Sequence, residues 1–153
     1  MFDAPKRDLL AQPIRVLFIE DNSLDAKFVR ALLARCNTAR FEITCFKHLS
    51  DALPTVQSTQ CDVVLLDLAL QDSRRLASLL EFVLATPNTP IVVLTDRADR
   101  PTALQVIGHG AQDCFVKGKD DMATLSRSLQ FAIERKDFEV CRAKITDSRR
   151  RSD

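Results

Sequence analysis

The sequence lacks the features that are typical of a secreted protein, a protein with a structural zinc site or a membrane-spanning protein. Its five cysteines are odd in number and no two have CxxC spacing, which argues against a disulfide framework and against a zinc site. No apolar run approaches the roughly 20 residues of a membrane span. The N-terminal residues also lack the apolar core of a secretory signal. These absences predict a soluble, cytoplasmic protein with reduced thiols.

The chain as a whole has no excess of charge of one sign. Its 22 basic and 21 acidic side chains give a formal net charge of +1, so no broad field is expected to attract nucleic acid or a membrane. Only the C-terminal end is distinctly basic, and we interpret it as a solvated tail. With 153 residues, 46% of them apolar, the chain is long enough for one domain with a sizeable core.

Five short apolar or β-branched segments alternate with segments of helical periodicity. The strand candidates are 14–19, 41–46, 62–66, 91–94 and 114–116. This alternation predicts an α/β fold whose parallel sheet is covered by helices on both faces. Three of the segments are continuous apolar runs, as central strands should be, so 41–46 and 114–116 are expected at the sheet edges. A last helix is predicted to begin at Asp120 and to run past Lys144.

Polar side chains stand at the carboxyl ends of four of these strand candidates. In chain order they are Glu20 and Asp21, Asp67, Thr95 and Lys117. The functional crevice of such a sheet lies outside the carboxyl ends of its strands, so these side chains should meet there. Three neighbouring carboxylates repel one another unless a hard divalent cation such as Mg²⁺ joins them. Asp67 would then be available as a nucleophile towards a phosphoryl group, with Lys117 and Thr95 near its oxygens.

The sequence resembles the receiver domain of bacterial two-component response regulators in four segments: VLFIEDN at 16–22, VVLLDLAL at 63–70, PIVVLTD at 90–96 and GAQDCFVKG at 110–118. The resemblance implies a flavodoxin-like, doubly wound, five-stranded parallel sheet of order 2-1-3-4-5, followed by an extended C-terminal helix. We predict a flexible leader at 1–13, a receiver domain at 14–135, and a helical extension with a basic tail at 136–153.

Matching the motifs residue by residue implies a role for each polar residue. Asp67 resembles the phospho-acceptor of the family, and Thr95 and Lys117 resemble the switch hydroxyl and the lysine that bind the phosphate. Four groups would form the Mg²⁺ site: Glu20, Asp21, Asp67 and the main-chain carbonyl of Ala69.

Two of the positions that depart from the family pattern concern the response to phosphorylation. Cys114 stands where the family usually has an aromatic residue, so gating by a ring is expected to be absent. Asp96 follows the switch threonine, where the family usually has Ala or Gly. We therefore expect Asp96 and Cys114 to modulate the response.

The predicted function is phosphoryl acceptance rather than enzyme catalysis, with a histidine kinase or phosphotransfer protein as donor and an unknown protein as target. A pseudo-receiver with weak or no phosphorylation control is one alternative, and the N-terminal receiver of a longer signalling protein is another. Another kind of enzyme fits less well. Asp67-Leu68-Ala69 lacks the second acid of a DxD phosphatase, and Glu20-Asp21-Asn22 stands where a nucleotide-binding loop would be Gly-rich.

The C-terminal helix offers a surface for a partner. Phe131, Phe138 and Ile145 recur every seven residues, with Cys141 between the last two and Glu134 as an interruption. This spacing indicates a seam for a second helix, which suggests a homodimer. No DNA-binding domain is visible in the sequence.

Overall fold

The computed structural model describes residues 12–58, 61–68, 73–96 and 99–152. Within these ranges strands and helices alternate strictly, as the sequence predicts. The strands are β1 (Ile14–Ile19), β2 (Phe41–Phe46), β3 (Val63–Asp67), β4 (Ile91–Thr95) and β5 (Asp113–Val116). The helices are α1 (Ser23–Ala34), α2 (Leu49–Gln57), α3 (Ser73–Ala85), α4 (Arg100–Gly108) and α5 (Met122–Ser152).

The five strands form one parallel sheet of order β2-β1-β3-β4-β5. The predicted flavodoxin-like topology is therefore confirmed, and the two less apolar strands, β2 and β5, lie at the edges. The register sets Ile19 beside Leu66 and Asp67 beside Leu94. Because all strands run the same way, their carboxyl ends meet along one edge of the sheet, which we name the carboxyl rim.

Alternate residues of the central strands enter two separate cores, because successive side chains of a strand point to opposite faces. Phe18, Leu65 and Leu94 pack on one face against α1 and α5. Leu66 and Val93 pack on the other face against α2, α3 and α4. Burial on both faces explains why the central strands are continuous apolar runs.

Side chains at the helix starts fix where the chain leaves the sheet. Asn22 caps α1 by accepting the backbone N–H groups of Leu24 and Asp25, and Asp99 caps α4. The predicted start of the last helix at Asp120 is two residues early. Its side chain instead accepts the N–H of Val116 at 2.8 Å.

Helix α5 continues well past the sheet. Its first part is anchored by Leu125, Leu129 and Ala132, which are fully buried. Beyond that part, Phe138 is 69% exposed and Ile145 is 39% exposed, so the predicted seam is uncovered in this chain. No helix in the described ranges is both long and apolar enough to cross a membrane.

Gly110, between α4 and β5, is a position where only glycine fits. Its φ is +105°, and a Cβ built there would lie 2.7 Å from Cγ1 of Val83. We predict that Gly110→Ala lowers the free energy of unfolding by about 2 kcal/mol, because it adds backbone strain to overlap with a packed side chain. Gly108→Ala is the control, since nothing lies within 4 Å of a Cβ there. Urea unfolding checks both variants, and equal stability of the two would contradict the prediction.

Candidate functional site

Backbone hydrogen bonds at the carboxyl rim hold the ends of neighbouring strands together. The N–H of Glu20 donates to the carbonyl of Phe46 at 2.9 Å, and the N–H of Lys117 donates to the carbonyl of Thr95 at 2.7 Å. Asp67 is the last residue of β3. The rim therefore brings Glu20, Asp67 and Lys117 together although they are far apart in the sequence.

The ammonium group of Lys117 contacts three carboxylates. Its Nζ lies 3.4 Å from Oε2 of Glu20 and 3.1 Å from Oδ2 of Asp25, and it hydrogen-bonds Oδ2 of Asp67. An ammonium has three N–H donors, so each carboxylate can accept one. We refer to Glu20, Asp25 and Asp67 as the acidic cluster.

The acidic cluster keeps Lys117 charged. Burial is the largest single influence on the pKa of Lys117 and lowers it, but the hydrogen bonds and charges of Asp67 and Asp25 together raise the pKa above its usual value. The ammonium is thus a permanent positive charge beside Asp67 at neutral pH.

Glu20 links the acidic cluster to helix α1. Its side chain is only 3% exposed, and its Oε1 accepts the N–H of Asn22 at 3.0 Å. Asn22 in turn caps α1. The buried carboxylate is therefore held by the turn between β1 and α1 on one side and by Lys117 on the other.

The donor set of the acidic cluster suits a hard divalent cation. One oxygen from each carboxylate lies within 4.8 Å of the other two. Lys117 supplies one positive charge against three negative ones, so two negative charges remain to be balanced. Oxygen ligands and an excess of two negative charges fit Mg²⁺.

Asp21 lies beside the acidic cluster but is exposed to solvent. It lines an open cleft of about 190 Å³ together with Glu20 and Asp67. Ala69, the fourth predicted ligand, lies outside the described residues. The predicted ligand set of Glu20, Asp21, Asp67 and Ala69 stays a prediction.

Asp25 was not among the residues predicted for the site. Asn22-Ser23-Leu24-Asp25 is typical of a helix start, where an acid three residues after the cap interacts with the helix N-terminus. This role at the helix start is enough to explain an acid at position 25, so the sequence does not predict a contact of Asp25 with another segment. Its contact with Lys117 arises only because the fold brings the first turn of α1 next to the end of β5.

The two predicted modulators and the switch residue differ in burial. Thr95 is fully buried at the end of β4, and Asp96 after it is exposed. Cys114 is half-buried on the α2–α4 side of the sheet. Phe115 points to the opposite core and is 3% exposed, so its ring occupies a fixed place there.

The thiol of Cys114 should be unreactive. Burial, and then the charges of Asp113, Asp120 and Asp99, raise its pKa to about 11. At pH 8 about one Cys114 in a thousand is then a thiolate, against about one in ten at the usual pKa of 9.0. We predict that Cys114 alkylates at least ~100-fold more slowly in the folded chain than in urea. Peptide mass spectrometry checks this, with the exposed Cys141 as internal control. Equal rates at the two cysteines of the folded chain would contradict it.

Comparison with known proteins points to a single family. The sequence profile of the response regulator receiver domain matches residues 16–130. The chain is 30% identical over 104 residues to the swarming motility regulation protein RssB of Serratia marcescens. This alignment covers 68% of this chain and 46% of RssB.

Two examples illustrate the solved structures that share the fold. A CheY-like receiver domain protein from Methanospirillum hungatei JF-1 has a TM-score of 0.65 at 15% identity, covering 84% of this chain and 99% of that one. A response regulator protein from Burkholderia pseudomallei, with a phosphorylated aspartic acid, calcium ion and citrate, has a TM-score of 0.61 at 22% identity. That alignment covers 82% of this chain and 72% of the other.

The chain belongs to the response regulator receiver domain family. It is thus a receiver domain of a two-component response regulator, and receiver domains are regulatory rather than catalytic. The chain spans less than half the length of RssB.

Proposed function

We propose that this receiver accepts a phosphoryl group on Asp67 from a phosphohistidine donor. The observation that carries the proposal is the position of Asp67. It ends a central strand, its side chain is 12% exposed, and Lys117 holds one of its oxygens. A carboxylate that is fixed, partly exposed and next to a permanent positive charge is suited to attack phosphorus.

The transfer needs little covalent help from the protein. An oxygen of Asp67 forms a bond to phosphorus, the bond from phosphorus to the donor imidazole nitrogen breaks, and that nitrogen takes up a proton. The product is an acyl phosphate. Lys117 and the hydroxyl of Thr95 then bind oxygens of the phosphoryl group, which adds about −1.5 to −2 charges at pH 7.

Mg²⁺ is the proposed cofactor, held by Glu20, Asp21, Asp67 and the carbonyl of Ala69. When bound, it would neutralise charge on the carboxylates and the phosphoryl oxygens. Two observations support it: the acidic cluster keeps two negative charges beyond those that Lys117 balances, and the response regulator from B. pseudomallei contains a calcium ion and a phosphorylated aspartic acid.

Asp96 and Cys114 are proposed modulators of how the phosphoryl group changes the surface. They also support the second candidate, a pseudo-receiver with the same surface but weak phosphorylation control. Beryllofluoride, a mimic of the phosphoryl group, separates the two. We expect ¹⁹F NMR to show a bound signal that requires Mg²⁺. No bound signal at millimolar Mg²⁺ would reject phosphoryl acceptance and leave the pseudo-receiver.

The proposed partners follow from the family and from helix α5. A histidine kinase or phosphotransfer protein would act as donor in the cytoplasm, and a protein target would read the switched surface. Residues 14–135 would form the receiver unit, either on its own or at the N-terminus of a longer signalling protein.

The seam on α5 supports a homodimer, because the side chains of Phe131, Phe138 and Ile145 are exposed. Light scattering on the full chain and on a chain shortened after Arg135 tests the dimer. We expect the full chain to be a dimer and the shortened chain a monomer, and the same oligomeric state in both would reject the dimer.

A further inference from the structure

Asp25 belongs to the acidic cluster but not to the residues that the sequence motifs predict. It lies in the first turn of α1, and its side chain is 46% exposed. The cap of that helix is Asn22, whose Oδ1 also accepts the N–H of Asp25. The carboxylate of Asp25 instead contacts the ammonium of Lys117 at 3.1 Å.

The three partners of Lys117 come from two sides. Glu20 and Asp25 belong to the segment from β1 to α1, and Asp67 belongs to β3. Two N–H groups of the ammonium therefore face the β1–α1 segment, and the third faces Asp67. A phosphoryl group on Asp67 would bring new acceptor oxygens to that third N–H. Glu20 is also a proposed partner of the cation, so Asp25 is the carboxylate that remains to hold the ammonium.

We propose that Asp25 is a positioning residue for phosphoryl binding, which holds Lys117 so that its ammonium faces the phosphoryl group on Asp67. This inference rests on the proposed function of Asp67. The positioning role of Asp25 and its negative charge predict opposite effects of its removal on anion binding. Removal of a negative charge near a bound anion should tighten anion binding, whereas loss of the group that orients Lys117 should weaken it.

Asp25→Asn and Asp25→Ala form a matched pair for the test. Both remove the same charge, but asparagine keeps a side-chain oxygen that accepts an N–H, and alanine does not. At saturating Mg²⁺ we expect beryllofluoride to bind roughly five-fold more weakly to Asp25→Ala than to Asp25→Asn, the effect of about one net hydrogen bond. We also expect Asp25→Ala to bind it more weakly than the unchanged chain does. ¹⁹F NMR measures both affinities.

Mg²⁺ affinity, measured by calorimetry without beryllofluoride, shows whether Asp25 acts through Lys117. We expect Asn and Ala at position 25 to weaken Mg²⁺ binding equally, because charge alone matters for that step. Glu134→Gln, which removes an exposed charge on α5, should change neither affinity.

Each other outcome rejects the proposal. Tighter beryllofluoride binding in both variants would mean that Asp25 acts by charge alone, and equal binding in both would mean that its oxygen does not orient Lys117. Weaker Mg²⁺ binding in Ala than in Asn would make Asp25 a cation ligand instead. Failure of the unchanged chain to bind beryllofluoride would reject the phosphoryl role of Asp67 itself, which is distinct from these results.

Discussion

Asp67→Asn is expected to reduce phosphoryl incorporation from acetyl phosphate to background, a loss on the order of 10³-fold or more. An amide oxygen is a poor nucleophile towards phosphorus, and no other carboxylate of the acidic cluster ends β3 beside Lys117. The fold should persist, because Lys117 keeps Glu20 and Asp25 as partners. Removal of one of three neighbouring carboxylates also relieves repulsion, so the melting temperature should stay the same or rise.

Radiolabelled acetyl phosphate with Mg²⁺ measures the incorporation, and thermal unfolding measures the fold. Glu134→Gln serves as the control, since it also neutralises one carboxylate but lies on the exposed part of α5. It should incorporate label as the unchanged chain does. Label retained at the normal rate in Asp67→Asn would place the acceptor at another residue.

Lys117→Met is expected to destabilise the fold by about 2 kcal/mol at neutral pH. Without the ammonium, Glu20 and Asp67 are left as neighbouring carboxylates whose side chains are 3% and 12% exposed. Loss of the opposite charge between two like charges in such a site is costly. Methionine keeps the apolar stem of the side chain, so the change is mainly one of charge. Lys119→Met, on the exposed turn nearby, should change stability by less than about 0.5 kcal/mol. Urea unfolding of the three chains gives the comparison.

The stabilisation by Lys117 should also disappear at high pH. Its pKa in the folded chain is raised above the usual 10.5, so the folded state holds this proton more tightly than the unfolded state does. The resulting stability is fully present below pH 10.5 and is lost as the pH rises through the higher folded-state pKa. The stability difference between the unchanged chain and Lys117→Met should therefore be constant from pH 7 to 10 and shrink above pH 10.5. A difference that grows above pH 10.5 would contradict the ion-pair account.

Most of the fold could be predicted because the local pattern and the global topology agree. The continuous apolar runs 63–66 and 91–94 require burial on both faces, which places them at the centre of a parallel sheet. Asn22 and Asp99 are of residue types that favour helix caps, and they cap α1 and α4. The start of α5 was misplaced because Asp120 and Asp121 are equivalent in sequence. The structure uses the first to bind Val116 and the second to bind the N–H of Thr124.

The site was predicted only in part, because its contacts depend on where helices sit against the sheet. The order of strand ends was enough to bring Glu20, Asp67 and Lys117 to one rim. Asp25 could not be found in this way, since it is a helix residue and its contact with Lys117 depends on α1 lying next to the end of β5. The sequence motifs predict Asp21 for the site and do not include Asp25, whereas the structure places the carboxylate of Asp25 within reach of the ammonium.

The chemical identity of the modified residue tests the central proposal most directly. The chain would be treated with acetyl phosphate and Mg²⁺ and then with sodium borohydride, which reduces an acyl phosphate to an alcohol and so converts a phosphorylated aspartate to homoserine. Our account predicts homoserine at position 67 alone, and only when Mg²⁺ is present, in peptides read by mass spectrometry. Unmodified Asp67 after this treatment, or homoserine at another aspartate such as Asp21 or Asp25, would contradict it.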